Sequence, residues 1–397
     1  MVDGFGGLYV SDEEIDSVLD KAHPAGGDDQ HIQALKGLIA EIGSDIEEKT
    51  TESLRRGIPL NLPLLAYSAH LTPFEINSIL ICLAPELDAK YERLYAYLQN
   101  DATKKQPSVD LILSLLCNLG EGRIYARQYF HANAPLFENL ILRFTEGLQE
   151  GEKPLISRIV KLDDRITDYI LGFNRVDAKI KPFTQLMLPQ TGLEDVELSE
   201  ELKNRAYNLI KHWERSGGGT TCLLQGPYGA GKKMIAGGIC REAGTPLLIV
   251  DIKALMEREP DVSDTVSRIF REAMLQGSAL YLEHFERIFS EDAKDGPYKN
   301  AMIRALEDYS GVAFIASEEA LELDKRLGLQ KGLFTIEIPV PDYMVRRQIW
   351  ESCLGRKFGE YGADGTVALA NKFKFTAGQI RDAIRSAEKL ARPSGRA

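Results

Sequence analysis

The feature that most constrains the fold is a glycine-rich loop set between an apolar run and a helix-forming run. The loop reads Gly226-Pro-Tyr-Gly-Ala-Gly-Lys-Lys233, and the apolar run 222–225 comes directly before it. The residues from Lys232 to Ile239 have the composition of a helix. A strand that turns tightly into a helix is the opening of a strand–helix–strand unit, which builds a parallel sheet.

After this loop the sequence alternates between strand and helix patterns. Near-continuous apolar runs lie between amphipathic segments, which is typical of a parallel sheet covered by helices on both faces. We predict strands at 221–225, 246–252, 278–282, 311–316 and 334–338, with helices at 261–276 and 297–309 between them. Beyond Pro341 the pattern is helical again to about residue 391.

The region 31–175 has a mainly helical pattern. Its clearest helix start has Thr72 as N-cap and Glu75 three residues later, a capping box. We expect Pro85 to end that helix. Further helices are predicted at 88–98 and from Ser108. Three short helices in close succession suit a helix-turn-helix or winged-helix module.

These patterns predict an α/β chain: a parallel-sheet domain with a helical lid, preceded by a mainly helical, winged-helix-like domain. A helix near 11–21 is the only element predicted in the first segment. We divide the chain into a flexible acidic arm at 1–29, a winged-helix-like domain at 30–180, a linker at 181–198, an α/β subdomain at 199–341 and a helical lid at 342–397.

Composition limits the partners. The formal net charge of −11 argues against bulk attraction to nucleic acid or anionic lipid. No run approaches the ~18 apolar residues of a membrane span, and the N-terminus lacks the basic and apolar regions of a signal peptide. The five cysteines and six histidines form no metal-binding pattern. We therefore expect a soluble cytoplasmic protein with free thiols, no metal cluster and no membrane partner.

The glycine-rich loop has the chemistry of a phosphate-binding loop. Its glycines allow backbone N–H groups to turn inward around phosphate oxygens, and the following helix adds its positive N-terminal end. Lys232 would reach the outer phosphates. The alternative is an ordinary glycine-rich turn between a strand and a helix. The predicted nucleotide-contacting residues are Gly226, Pro227, Tyr228, Gly229, Ala230, Gly231, Lys232, Lys233 and Met234.

The residue after the loop lysine departs from the usual pattern. Active phosphate-binding loops carry Ser or Thr there, and its hydroxyl binds Mg²⁺. Here the residue is Lys233, and an ammonium group cannot bind a cation. Three orientations remain open: Lys233 points inward and repels Mg²⁺, turns to solvent, or supplies part of the charge that the metal would supply. The sequence therefore argues against a Mg²⁺ site.

The end of the third predicted strand departs as well. Hydrolytic enzymes of this type place an Asp there to hold the metal's water and, in many, a Glu after it to polarise the attacking water. This chain has Glu283 and His284, with Glu286 two residues further on. A neutral histidine can accept a proton, but it is shorter than Glu and points differently. We expect impaired hydrolysis, with Glu283 and His284 at the degenerate catalytic positions.

In the order and spacing of these motifs, residues 195–391 resemble the AAA+ ATPases. The resemblance implies ATP or ADP as the ligand, and a polar sensor at Ser317. It implies a second sensor at Arg381, at the start of a lid helix. It also implies an arginine finger that reaches a neighbouring subunit, for which Lys331 and Arg326 are the candidates.

A closer resemblance covers nearly the whole chain. The runs 71–116, 161–172 and 338–343 are similar to AAA+ proteins encoded beside contractile, phage-tail-like injection systems. Those proteins combine a winged-helix region, a degenerate first ATPase domain and an intact second one. The resemblance implies that this chain holds the first two parts. It also implies a homo-oligomeric ring in the full-length protein and a protein client.

Four functions remain open. The favoured one is a nucleotide-binding, hydrolysis-impaired module that serves the assembly of a protein-remodelling ATPase. A working ATPase would have to use Glu283, Glu286 or His284. A winged-helix DNA-binding regulator would use the tyrosines and lysines of residues 90–105. The fourth is a structural domain that binds no nucleotide.

Overall fold

The computed structural model describes residues 29–117, 120–145, 153–216, 219–258, 262–289, 296–318, 333–355 and 358–391. The chain divides into two compact units, Met1–Arg175 and Val176–Ala397. The predicted arm, apart from its last residue, and the helix predicted near 11–21 lie outside the described residues. None of the described helices is long and apolar enough to cross a membrane.

The described part of the N-terminal unit is mainly helical and contains one antiparallel pair of strands. Its helices are α1 Asp29–Arg55, α2 Asn61–Ser68, α3 Pro73–Leu87, α4 Lys90–Leu98, α5 Val109–Leu116, α6 Glu121–Ala126, α7 Pro135–Glu138 and α8 Asp164–Ile170. The strands are β1 Leu142–Phe144 and β2 Val160–Leu162, which pair in antiparallel register. Short helices followed by a two-stranded wing confirm the predicted winged-helix-like architecture.

The predicted start of α3 is confirmed and its predicted end is wrong. The Thr72 hydroxyl accepts the N–H of Glu75 at 3.4 Å, and Glu75 Oε2 accepts the N–H of Thr72 at 2.8 Å. The helix continues through Pro85 to Leu87. A proline leaves the carbonyl four residues earlier without its helical donor. Here the Tyr95 hydroxyl donates to the Ile81 carbonyl at 2.8 Å instead.

The next two helices begin beside side chains that accept backbone N–H groups. The Asp88 carboxylate accepts the N–H of Lys90 at 2.9 Å, so Asp88 precedes α4 rather than opening it as predicted. The Ser108 hydroxyl accepts the N–H of Leu111 at 3.2 Å, which confirms the predicted start of α5.

The C-terminal unit alternates strands and helices and ends in helices, as predicted. Its strands are β3 Thr184–Met187, β4 Thr220–Gln225, β5 Leu247–Asp251, β6 Ala279–Glu283, β7 Val312–Ser317 and β8 Leu333–Glu337. Its helices are α9 Glu200–Ser216, α10 Lys232–Glu242, α11 Ile252–Arg258, α12 Val262–Leu275, α13 Gly296–Asp308, α14 Tyr343–Leu354, α15 Phe358–Lys372 and α16 Ala377–Ala391.

The six strands form one sheet in the order β3-β5-β6-β7-β4-β8. All neighbours pair in parallel except β3, which runs antiparallel to β5 at the edge. The segment 181–198 is therefore not simply the linker that we predicted, because it includes a 3₁₀ turn and this edge strand. The prolines and glycine around this short run are typical of a loop, so the sequence did not predict a strand there. An edge strand pairs on one side alone and tolerates such neighbours.

Two apolar layers bury the sheet. One layer joins one sheet face to α11, α12 and α13, and the other joins the opposite face to α9 and α10. Helices α14, α15 and α16 form a lid with its own core around Trp350 and Ile380. Because the strands are parallel, their carboxyl ends share one edge: Asp251 aligns with Glu283, and Gln225 aligns with Ser317.

Candidate nucleotide-binding site

The glycine-rich loop joins β4 to α10 at this edge of the sheet. Gly229 and Gly231 have φ values of +72° and +101°, a backbone conformation that favours glycine. A side chain on Gly229 would also meet the lid, since its Cβ would lie 2.7 Å from Gly378 Cα. The N–H of Gly226 donates to the Ser317 carbonyl at 3.1 Å. The first residue of the loop is therefore held by a backbone hydrogen bond to the end of β7.

A cavity of about 680 Å³ opens beside the loop. Most ligand pockets for small organic molecules have volumes of ~300–1,000 Å³. One end is formed by the loop and by charged side chains at the strand ends. The other end is largely apolar and is lined by Met187, Leu188, Pro189, Val196, Met234, Gly237 and Gly238. A phosphate-binding end joined to an apolar end suits a nucleotide.

Lys232 faces the loop. Its ammonium group donates to the Gly226 carbonyl at 2.5 Å and to the Pro227 carbonyl at 3.1 Å. Burial lowers the pKa of Lys232, and the nearby carboxylates Glu318, Glu286 and Glu283 oppose that shift. The lysine therefore marks an end of the cavity where acidic side chains gather.

Lys233 forms an ion pair with Glu283. The distance from Lys233 Nζ to Glu283 Oε2 is 3.1 Å, and the two side chains are 43% and 29% exposed. The ammonium group also lies 5.9 Å from the centre of the Tyr281 ring. Of the three orientations that the sequence left open, the structure shows Lys233 directed at the acid that ends β6.

His284 lies against a second acid. Its Nδ1 is 3.2 Å from Asp251 Oδ1, and its φ of +59° is unusual for a residue other than glycine. Asp251 ends β5, next to Glu283 in the sheet register. The sequence analysis did not identify Asp251. Its place at the end of an apolar run was the signal, but only the strand order shows that it meets His284.

The remaining acidic and polar groups take different positions. Glu286 lines the cavity, and its Oε2 is buried with no hydrogen-bond partner in the described part of the chain. Ser317 ends β7 but is fully buried, and the cavity wall there is formed by Ala316 and Glu318. Glu318 is a further wall residue that the sequence analysis missed.

Arg381 reaches the cavity from the lid. Thr376 and Gln379 form a capping box at the start of α16, with N–H to side-chain distances of 3.0 and 3.3 Å. The Arg381 guanidinium nitrogens lie 3.4 Å from the Met234 sulfur. Its role toward phosphate stays a prediction. The finger candidates Arg326 and Lys331 lie outside the described residues.

The lid contacts the loop directly. The Thr376 hydroxyl donates to the Tyr228 carbonyl at 2.8 Å, and the Gly378 N–H donates to the Gly229 carbonyl at 2.8 Å. The Tyr228 hydroxyl donates to Asp382 at 3.1 Å. We call these contacts the loop–lid latch. They fix two carbonyls of the loop on the side of the lid.

The residues fit a nucleotide but not a Mg²⁺ ion. The loop, the ammonium group of Lys232 and the apolar end of the cavity provide for phosphate, charge and base. The hydroxyl that would bind Mg²⁺ is replaced by Lys233, and Glu283 is paired with that ammonium group. Among the residues that the structure describes, no cluster of His, Cys, Asp or Glu is placed to hold a metal ion.

Two family models match the chain. Residues 10–184 match the winged helix domain, variant, and residues 222–342 match the ATPase family associated with various cellular activities (AAA). No curated protein matches the sequence.

Among solved structures, one from a study of katanin self-assembly aligns with a TM-score of 0.41 and 17% identity. It covers 53% of this chain and 74% of that chain. The crystal structure of the FIGL-1 AAA domain aligns with a TM-score of 0.38 and 19% identity, covering 45% of this chain and 67% of that chain. By the two family models, residues 222–342 are similar to the AAA ATPase family, and residues 10–184 are similar to the winged helix domain.

Proposed function

We propose that the chain is a nucleotide-binding AAA module that hydrolyses ATP poorly and serves the assembly of a protein-remodelling ATPase. The observation that carries the proposal is the ion pair between Lys233 and Glu283. It lies at the phosphate end of a cavity whose binding loop is complete. Binding residues are thus retained at a site where the catalytic residues have changed.

Binding is supported by the loop and by the lid. Two glycines adopt the positive φ values of a phosphate cradle, and α10 presents its N-terminus to the same space. Lys232 and Arg381 both line the cavity, so the loop and the lid each bring a cation to it. The ligand that this arrangement suits is ATP or ADP.

Weak hydrolysis follows from how the acidic groups are engaged. Efficient attack on a phosphoryl group needs an oriented water and compensation of the developing charge. Glu283 is paired with Lys233, and the Nδ1 of His284 is directed at Asp251. Neither group is held ready to orient a water. We infer that ATP, once bound, persists.

The biological setting rests on the resemblance to AAA+ proteins of contractile injection systems. By that resemblance the module belongs to a homo-oligomeric ring that acts on a protein client in the cytoplasm. The winged-helix domain then serves as a partner-binding region. Ser317 and Arg381 stay proposed sensors, and either Arg326 or Lys331 stays the proposed finger.

The test combines a fluorescent ATP-analogue titration with steady-state phosphate release. We expect binding together with turnover far below the ~1–10³ s⁻¹ of ordinary enzymes. Lys232→Ala should abolish binding because it removes the loop cation, whereas Lys211→Ala, on the exposed face of α9, should bind as the parent does. Robust turnover that Lys232→Ala abolishes would contradict the proposal.

One observation favours the working-ATPase alternative. Glu286 lines the cavity with a buried carboxylate oxygen that no described residue hydrogen-bonds, which suits a candidate base. If Glu286 acts in that way, the parent protein turns over at an ordinary rate and Glu286→Gln loses it. The same phosphate-release assay therefore separates the two functions.

A further inference from the structure

We infer that the site binds a nucleoside diphosphate without a divalent cation, and that it binds the triphosphate more weakly. The inference rests on the proposed function, because it names the ligand of the same cavity. It concerns which nucleotide is held, and whether a metal accompanies it.

The first step concerns the charge that a metal would supply. In active sites of this type the cation joins the acid at the strand end to the phosphates. Here the Lys233 ammonium group already lies 3.1 Å from Glu283 and lines the same cavity. An ammonium group has three donors, so bonding to Glu283 leaves others for phosphate oxygens. The lysine is thus placed to join acid and phosphate without a metal.

The second step concerns the acids that a metal would need. Glu283 is paired with Lys233, and Asp251 with His284. A divalent cation would have to displace Lys233 from Glu283 and would then lie beside its ammonium charge. The structure therefore predicts that added Mg²⁺ gives no gain in affinity.

The third step concerns the number of phosphates. Glu283, Glu286 and Glu318 all line the cavity and all act on the charge of Lys232. Glu286 Oε2 is buried there and has no hydrogen-bond partner among the described residues. A third phosphate brings further negative charge toward these carboxylates, and no metal is present to compensate it. A diphosphate brings less negative charge to the same carboxylates, so we expect it to be repelled less.

The experiment titrates the full chain with fluorescent ADP and ATP analogues, each with excess Mg²⁺ and with EDTA. We expect the ADP analogue to bind equally in both buffers, within about twofold. In EDTA, the ATP analogue should bind about tenfold more weakly than the ADP analogue, a difference of ~1.4 kcal/mol in binding free energy.

Each other result overturns a defined claim. Binding that needs Mg²⁺ overturns the inference and leaves the proposed function intact. Equal affinity for the two analogues in EDTA overturns the diphosphate preference. No binding of either analogue in either buffer overturns the proposed function itself.

Two variants test the named residues. Lys233→Thr restores a hydroxyl and frees Glu283, so it should make binding depend on Mg²⁺; Lys211→Thr is the matched control on an exposed helix face. Glu286→Gln should narrow the gap between the two analogues, because it removes one carboxylate from the acidic end. An unchanged gap in Glu286→Gln and continued independence from Mg²⁺ in Lys233→Thr would both count against the inference. Far-ultraviolet circular dichroism confirms that each variant is folded.

Discussion

At the scale of single residues, a buried carboxylate holds two arginines near the start of the C-terminal unit. Asp177 is 6% exposed, and Arg271 donates to it at 2.8 Å while Arg268 donates at 3.4 Å. Arg268 also pairs with Asp264 on its own helix. Removing one charge from a buried ion pair leaves uncompensated charge in a medium of low polarity, which costs more than the pair contributes.

Asp177→Asn should therefore lower the free energy of unfolding of this unit by about 3–5 kcal/mol. Urea unfolding followed by tryptophan fluorescence measures it, because both tryptophans, Trp213 and Trp350, belong to the C-terminal unit. Glu201→Gln breaks the exposed pair with Arg205 and should cost about 0–1 kcal/mol. Equal losses in the two variants would show that Asp177 has no special role.

The residues of the site differ in how much of the chain is needed to predict them. The loop residues Tyr228 to Met234 line the cavity, and the sequence predicts them because one continuous segment carries the whole pattern; Gly226 and Pro227, predicted with them, are not among the lining residues. Glu283 and His284 could be predicted because they end a recognisable strand. Asp251 and Glu318 could not, because they join the site only through the sheet order β5-β6-β7. The pairing of Lys233 with Glu283 needed the structure, since the sequence left three orientations open.

At the scale of elements, the loop–lid latch couples the start of α16 to the phosphate-binding loop. Its closest approach is between two glycines: a Cβ on Gly378 would lie 2.5 Å from Gly229 Cα. Two hydrogen bonds of 2.8 Å flank that contact. Because real Cβ atoms do not approach backbone so closely, a side chain at Gly378 must separate the lid from the loop.

Gly378→Ala should therefore speed nucleotide release by about tenfold, which corresponds to ~1.4 kcal/mol of lost stabilisation. Stopped-flow displacement of a fluorescent ADP analogue by excess unlabelled ADP measures the rate. Gly296→Ala, at a position with open space around it, is the matched control and should release nucleotide at the parental rate. If the two variants behave alike, the latch does not restrain the nucleotide.

A helix is predictable from the sequence where a capping side chain lies next to its first residue. The starts of α3 and α5 are predicted from Thr72 and Ser108, because each of these side chains accepts a backbone N–H only three residues later in the sequence. Two elements were not predictable in this way. The passage of α3 through Pro85 depends on a hydroxyl from α4, and β3 depends on pairing with β5. Both contacts join residues that are distant along the chain.

At the scale of the whole molecule, alternation of apolar runs and amphipathic segments was enough to predict the fold class. The four inner strands β4, β5, β6 and β7 are buried on both faces, so their sequences show almost continuous apolar runs. The boundary between the two units is harder to predict from the sequence. The structure separates its units after Arg175, and the segment that follows packs into the C-terminal core through Ile180 and Phe183. No composition shift marks that point.

The charge of the chain and the ion pairs of its lysines argue against DNA binding by the winged-helix domain. The chain has a formal net charge of −11, and the lysines of the candidate face are paired with carboxylates: Lys90 with Asp88 at 3.3 Å, Lys104 with Asp101 at 3.7 Å and Lys105 with Glu92 at 3.6 Å. Tyr95 on the same face is buried and bonds to the Ile81 carbonyl. Affinity for DNA comes largely from lysines and arginines that neutralise phosphates.

We therefore expect no binding of a labelled 20-base-pair duplex by up to about 10 μM protein at 50 mM salt, measured by fluorescence anisotropy. A variant that combines Asp88→Asn, Asp101→Asn and Glu92→Gln frees the three lysines, and any binding that it gains should weaken steeply as salt is raised. That variant shows whether the pairing or the overall charge prevents binding. A salt-sensitive rise in anisotropy with the parent protein would instead support a DNA-binding regulator. The acidic surface would then be no barrier to that function.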